Sequence, residues 1–475
     1  MASRRPLLTL AILLVAIKSL QLAIDPRFLF YDDSGAFLLN GLGYAFIPER
    51  SPVYGALIRI FAIPFHSLPA IVVMQVAMGG LTAWLLGFIL LRYFAVRPWI
   101  AILAAVAFAC DPVQVVHERL IMTETSAMLG VALFLTAALK YQETLAPRWL
   151  AVAALIGIFL AGLRIVYVPV VLVFAIVLPV GVYLLKKKRE PTALAMALLV
   201  SCVSTVALHA GYRALTGWIA HREPAYHYRT GDFLVTLVAP LMQPEDARDA
   251  RVADAIRTQA QSAIPLSNPD LRTLQMWDFG GFVARLHSLF PNDPREANRV
   301  GSELARATIR RDPLGFLRLG LDTYLEYWWK LPRLPRILAK ENGSPPYPVV
   351  TESGARMIAA VFGVDVSKQH LLLTPSRRYH YFGRFWNVVL LISPLLAGLA
   401  LLGKRSASEG EWLLFVWSLL LFVATFWGAS EVSYRYLHPF SLTAIAALAM
   451  LGEKWASAAS EVGEVEKAPA SAISG

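Results

Sequence analysis

Residues 4–33 read RRPLLTLAILLVAIKSLQLAIDPRFLFYDD. Two arginines precede an apolar run from Leu7, which ends near Ile24 and gives way to Asp25, a Phe/Tyr cluster and two adjacent carboxylates, Asp32 and Asp33. A run of about 20 apolar residues is what a helix needs to cross a bilayer. The segment has the outline of a secretory signal, yet no small-residue cleavage site follows it. We read Leu7–Ile24 as an uncleaved first transmembrane helix.

The rest of the chain agrees with that start. Of 475 residues, 57% are hydrophobic and only 16% charged, and the mean hydropathy is +0.54; a soluble domain carries about a quarter charged residues. Nine further apolar runs follow: Ala70–Phe94, Trp99–Val116, Ser126–Tyr141, Trp149–Leu163, Ile165–Leu185, Thr192–Ala214, Phe385–Leu402, Trp412–Trp427 and Leu437–Leu451. In lipid each backbone group must be paired within its own element, so these runs are expected to be helices. The predicted fold class is an all-α polytopic membrane protein with about ten transmembrane helices and an extracytoplasmic, mainly helical insert.

The net charge of +11 is not a nucleic-acid footprint. Arg4 and Arg5, Arg92 and Arg97, Lys140 and Arg148, Lys186 to Arg189, Lys404 and Arg405, and Lys454 all fall in alternate loops. Cytoplasmic loops collect Lys and Arg, so these six segments and both termini are placed inside, and no nucleic-acid partner is expected. The outward pieces are then 25–69, 111–124, the Arg164 turn, an insert at 215–384 and 428–436. Four regions result: a transmembrane module 1–214, the insert, C-terminal helices 385–455 and an irregular Ala/Ser/Glu-rich tail 456–475. Within the insert, Leu314–Trp329 sets Leu, Phe, Tyr and Trp on one side and reads equally as a membrane-interface helix or as an ordinary core helix. Cys110 and Cys202 lie inside apolar segments and offer no disulfide framework or zinc spacing.

Charges beside a membrane are costly unless used or paired. Asp32 and Asp33 either serve chemistry or cap the following helix, a position Asp favours. The same face receives His117, Glu118, Glu124, Arg164, Glu431, Arg435 and His438. A single arginine at a helix end commonly snorkels to lipid phosphate; several, with carboxylates, are also able to hold a substrate phosphate, whose oxygens match the guanidinium fork. A Walker loop, a dinucleotide-binding glycine motif, a nucleophile elbow and His-Glu-x-x-His are all missing. An Asp-Asp doublet offers oxygen ligands to Mg²⁺ or Mn²⁺, but one doublet is not a site, and metal-independent chemistry without a cofactor is the expectation.

Four local patterns resemble the GT-C glycosyltransferases, the class that includes protein O-mannosyltransferases and lipid A aminoarabinose transferases. They are Asp33-Ser34-Gly35-Ala36-Phe37 after the first helix, Pro52-Val53-Tyr54, Thr123-Glu124-Thr125 with Leu163-Arg164, and Arg435-Tyr436-Leu437-His438-Pro439. The resemblance covers Leu7 to about Leu185 and the last outer turn. Phe37 stands where many relatives have Tyr, and the doublet is Asp-Asp rather than Asp-Glu, so the family carboxylate matches either Asp32 or Asp33; the spacing to Phe37 favours Asp33.

The resemblance implies a GT-C-like bundle, a polyprenyl-phosphate sugar donor and inverting transfer to a hydroxyl acceptor at the extracytoplasmic face of a bacterial inner membrane. Phosphate leaves without needing a proton, so one carboxylate suffices as general base. Asp33 is expected in that role, with Asp32 orienting it or the acceptor. Arg435 and Arg164 are expected on the donor phosphate, and Glu124 on a sugar hydroxyl or an arginine. Tyr54, Glu118 and His438 complete the expected substrate-binding set. The alternative is a transporter or flippase of a lipid-linked or polyanionic substrate, although matched halves and broken midplane helices are not evident; a non-catalytic scaffold is the third reading.

Overall fold

The computed structural model describes residues 4–30, 33–43, 50, 52–186, 190–330, 352–365, 374–402 and 410–466. Among these the chain is helical and holds no strand. The helices are α1 (Arg4–Ile24), α2 (Ser34–Leu42), α3 (Pro52–Phe61), α4 (Pro69–Arg92), α5 (Pro98–Ala109), α6 (Pro112–His117), α7 (Glu124–Thr144), α8 (Arg148–Leu163), α9 (Tyr167–Leu185) and α10 (Pro191–Ala220). There follow α11 (Thr230–Val238), α12 (Ala250–Ala260), α13 (Arg272–Trp277), α14 (Phe282–Ser288), α15 (Pro294–Arg311), α16 (Pro313–Lys330) and α17 (Glu352–Phe362). The last are α18 (Pro375–Phe382), α19 (Trp386–Leu391), α20 (Ser393–Leu402), α21 (Glu411–Gly428) and α22 (Ser441–Glu466).

Five of them, α1, α4, α9, α10 and α21, are long and apolar enough to cross a membrane. The sequence predicted about ten spans, and two of its runs are interrupted within the chain. The run Trp99–Val116 is split at Asp111, whose side chain accepts from the Val113 amide and restarts the helix at Pro112 as α6. Proline at the first helical position suits such a restart. Phe385–Leu402 is likewise divided into α19 and α20 around Ile392, just before Ser393-Pro394. Ser126–Tyr141 and Trp149–Leu163 are helical as α7 and α8. Two boundaries also move: α10 continues to Ala220, and α22 runs on to Glu466, past Trp455, where an irregular tail was expected.

The chain builds two cores. The larger gathers α1–α10 with α19–α22 and includes Leu10, Leu86, Phe108, Leu160, Phe174 and Trp417. The smaller belongs to α11–α15, where Val235, Ile256, Phe282, Leu286 and Leu304 are buried together. The insert is therefore not uniform: α16 and α17 send Tyr327, Ile358 and Phe362 into the larger core.

Two local devices position the first loop. α2 and α3 cross where Gly41 meets Ile58 and Gly55 meets Asn40, and a Cβ at either glycine would press on the other helix. Upstream, Leu29 pairs in parallel with Leu120: the Leu29 amide donates to the Arg119 carbonyl at 2.7 Å, and the Ile121 amide to the Leu29 carbonyl at 3.1 Å. Arg119, fully buried, ties the same strip to α1 by donating to the carbonyls of Asp25 and Gln21, each at 2.9 Å. Because the pairing is parallel, both segments leave the clip in one direction. Asp33 and Glu124 each come four residues later, and one arginine, Arg435, reaches both.

Candidate active site

Asp33 occupies the N-cap position of α2 but makes no capping hydrogen bond. Its two oxygens instead accept from two arginines, Oδ1 from Arg50 Nη2 at 2.5 Å and Oδ2 from Arg435 Nη1 at 2.9 Å. Arg435 sits in the short turn Tyr434–Tyr436 between α21 and α22, and its Nε donates to Glu124 Oε1 at 3.1 Å. Arg164, just past α8, donates from Nη1 to the same oxygen at 3.2 Å and lies 5.9 Å from the Tyr436 ring centre. Five segments distant in sequence thus form one chain of charges: Arg50, Asp33, Arg435, Glu124, Arg164.

The cluster is nearly closed. Glu124 is fully buried, and the other four side chains keep between 10% and 16% of their surface exposed. Among the described residues, three guanidiniums and two carboxylates make up this chain, where water is scarce. Burial works against the charge on Asp33, but Arg435 and Arg50 outweigh it and hold the carboxyl below its usual range. Burial likewise opposes Glu124, and Arg435 and Arg164, with His117, bring it down to about 2. Both stay ionised at any ordinary pH.

The structure brings together Asp33, Glu124, Arg164 and Arg435, four of the expected residues. Asp32 lies outside the described residues. Tyr54 is buried beside them: its ring meets Phe37 edge-on at 5.2 Å, and its hydroxyl donates to Gln75 Oε1 at 2.8 Å. Glu118 and His438 are turned away. Glu118, fully buried, accepts from Lys18 at 2.6 Å, Gln114 at 3.0 Å and Arg119 at 3.2 Å, which pins α1 to α6. His438 shares a hydrogen bond with Gln114 Oε1 at 2.7 Å and stacks on His117 at 4.4 Å. Both are thus engaged by other side chains of the bundle rather than by the charge cluster.

Two participants were not singled out by sequence. Arg50 is visible only as a cation before Pro52-Val53-Tyr54. Trp277 belongs to α13 of the insert, and no local signal marks it. Its ring centre lies 5.9 Å from the Arg50 guanidinium and 5.5 Å from that of Arg229. Arg229 donates to the buried Asp232 at 2.7 Å, which also takes His287 at 3.0 Å. Thr273, on the same helix, donates to Glu431 at 3.2 Å. The insert therefore leans directly on the charge cluster, through Arg50 and through the 428–436 turn.

Neither protein-family models nor curated proteins yield a match to this chain. Among the described residues, no group of three or more His, Cys, Asp or Glu side chains is arranged to hold a metal ion. The arrangement itself offers two capacities: fixed cations for a bound anion, and a carboxylate at its edge able to take a proton.

Proposed function

We propose that this protein is a GT-C-type glycosyltransferase that moves a sugar from a polyprenyl-phosphate donor to a hydroxyl acceptor with inversion. We place ten helices in a bacterial inner membrane, both termini in the cytoplasm, and the cluster with the insert on the extracytoplasmic face. The observation that carries the reading is the grouping of Arg50, Arg435 and Arg164 with Asp33 and Glu124 in one nearly closed site. Guanidinium forks grouped in this way suit a phosphate, whose oxygens they meet in pairs.

The chemistry follows from competition for Arg435 and Arg50. A donor phosphate entering the cluster takes guanidinium hydrogen bonds that Asp33 now accepts. Asp33 then turns to the acceptor hydroxyl and removes its proton as the acceptor oxygen bonds to the anomeric carbon. The bond from that carbon to the phosphate oxygen breaks, and the electron pair leaves on the polyprenyl phosphate. Arginines already in place stabilise the charge that develops there. No cofactor takes part.

The direct test supplies purified protein, in the presence of EDTA, with labelled polyprenyl-phosphate sugars and short hydroxyl acceptors. Release of free polyprenyl phosphate is expected. Movement of an intact donor across a vesicle membrane without release would favour the flippase reading instead.

A pH prediction arises here. A base must be ionised, so activity falls as pH drops through its pKa. In the free protein Asp33 is held low, so kcat/KM should stay level as the pH falls through the ordinary carboxylate range near 3.9. With donor bound, the phosphate takes guanidinium from Asp33, and the acid limb of kcat should lie at higher pH. Superimposable limbs in the two profiles would contradict the exchange.

A further inference from the structure

α16 follows directly on the insert's own core and carries three distinct faces. Leu319, Gly320, Thr323 and Tyr327 are buried. They turn toward α21: Tyr324 meets Phe422 at 4.9 Å and Phe426 at 5.1 Å, Tyr327 meets Phe426 at 5.3 Å, and Trp427 donates to the Leu317 carbonyl at 3.1 Å. A second face, at helical intervals of three and four, is apolar and uncovered: Leu314 is 75% exposed, Leu317 53%, Leu321 47%, Leu325 44% and, at the end, Trp329 81%. Along its edge run Arg318 and Asp322, both open to solvent.

We propose that α16 lies in the plane of the lipid–water interface, with Leu314, Leu317, Leu321 and Leu325 among acyl chains, and fastens the insert to the bilayer. The inference rests on α21 crossing the membrane and is independent of the chemistry at the arginine cluster. Three observations name lipid as the occupant. The uncovered stripe continues onto α21, whose Leu419 and Val423 are also exposed on a helix long and apolar enough to span. α16 itself carries Arg318, Asp322, Glu326 and Lys330, too many charges for a span but the pattern of a helix lying in the interface. Arg306 and Arg310 on neighbouring α15 are exposed as well, and cations there complement anionic headgroups. Trp329 ends the stripe where an indole favours the headgroup level.

The test places single spin labels at Leu317, Leu321, Leu325, Arg318 and, as a reference, Val423, in protein whose two cysteines are replaced. The protein is reconstituted in phosphatidylethanolamine/phosphatidylglycerol bilayers, and collision with oxygen is compared with collision with a water-soluble nickel chelate. The three leucine positions should match Val423, with oxygen collisions several-fold above nickel, and Arg318 should show the reverse. Leucine positions as open to nickel as Arg318 would overturn the inference. So would positions closed to both reagents, which would mean a protein partner or a second copy covers the stripe. If Val423 itself reads aqueous, the membrane placement of α21 fails and the inference falls with it. A cysteine-independent measurement uses brominated lipids: Trp329→Phe should lose a component of the tryptophan quenching seen in the unaltered chain, and unchanged quenching would count against the proposal.

Discussion

Asp33→Asn is expected to lower sugar transfer by about 10²–10⁴-fold, the worth of a positioned general base, while the protein still inserts and purifies normally. The substitution keeps the shape of the side chain and one hydrogen-bond acceptor but removes the charge that Arg50 and Arg435 share. Two consequences should separate. Turnover collapses because no group can take the acceptor proton. Donor binding is kept or tightened, because the arginines no longer have a carboxylate competing with the phosphate. A kcat loss with the donor KM unchanged or lowered is therefore the signature, and it is read by steady-state kinetics on the labelled donor. A variant with full turnover would remove Asp33 from the chemistry.

Glu124→Ala is expected to be the most destabilising single change in the cluster, at about 3–5 kcal/mol, the usual cost of leaving buried charge without its partner. Glu124 is fully buried, and its Oε1 receives both Arg164 and Arg435. Without it, Arg164 loses this ion pair and Arg435 loses one of the two carboxylates it joins. Thermal unfolding in detergent should show the loss, and Glu124→Ala combined with Arg164→Ala should recover part of it. Native-like stability of the single variant would mean that water reaches the cluster freely. The same pair has a pH consequence. Its folded carboxyl titrates near 2, below the unfolded value, so the stabilisation is fully present above the ordinary glutamate range and is lost only as pH falls toward 2.

Part of this site is legible in the chain because charged residues beside apolar runs are few. Asp33, Glu124, Arg164 and Arg435 each follow or open a helix, and placing those helix ends on one face is enough to group them. Glu118 and His438 satisfy the same criterion but point elsewhere, since position along the chain fixes the end of a helix and not the direction of a side chain. Lys18, midway along an apolar run, gives no hint that it reaches Glu118. Trp277 is beyond sequence reasoning altogether, for its meeting with Arg50 depends on how a separately cored insert leans on the bundle. Helix boundaries are hard to read in the chain for a related reason. Hydropathy averages across Asp111-Pro112 and Ser393-Pro394, where the backbone stops one helix and begins another.

The parallel clip between Leu29 and Leu120 sets a ruler for the whole centre. Asp33 and Glu124 each stand four residues beyond it, so the clip fixes their starting points together. One residue gained or lost inside 29–33 or 120–124 is expected to throw the two out of step and break their shared link through Arg435. The demand the clip makes is thus one of count: an inserted residue between it and either acid is expected to cost more than an exchange of the apolar residues in between.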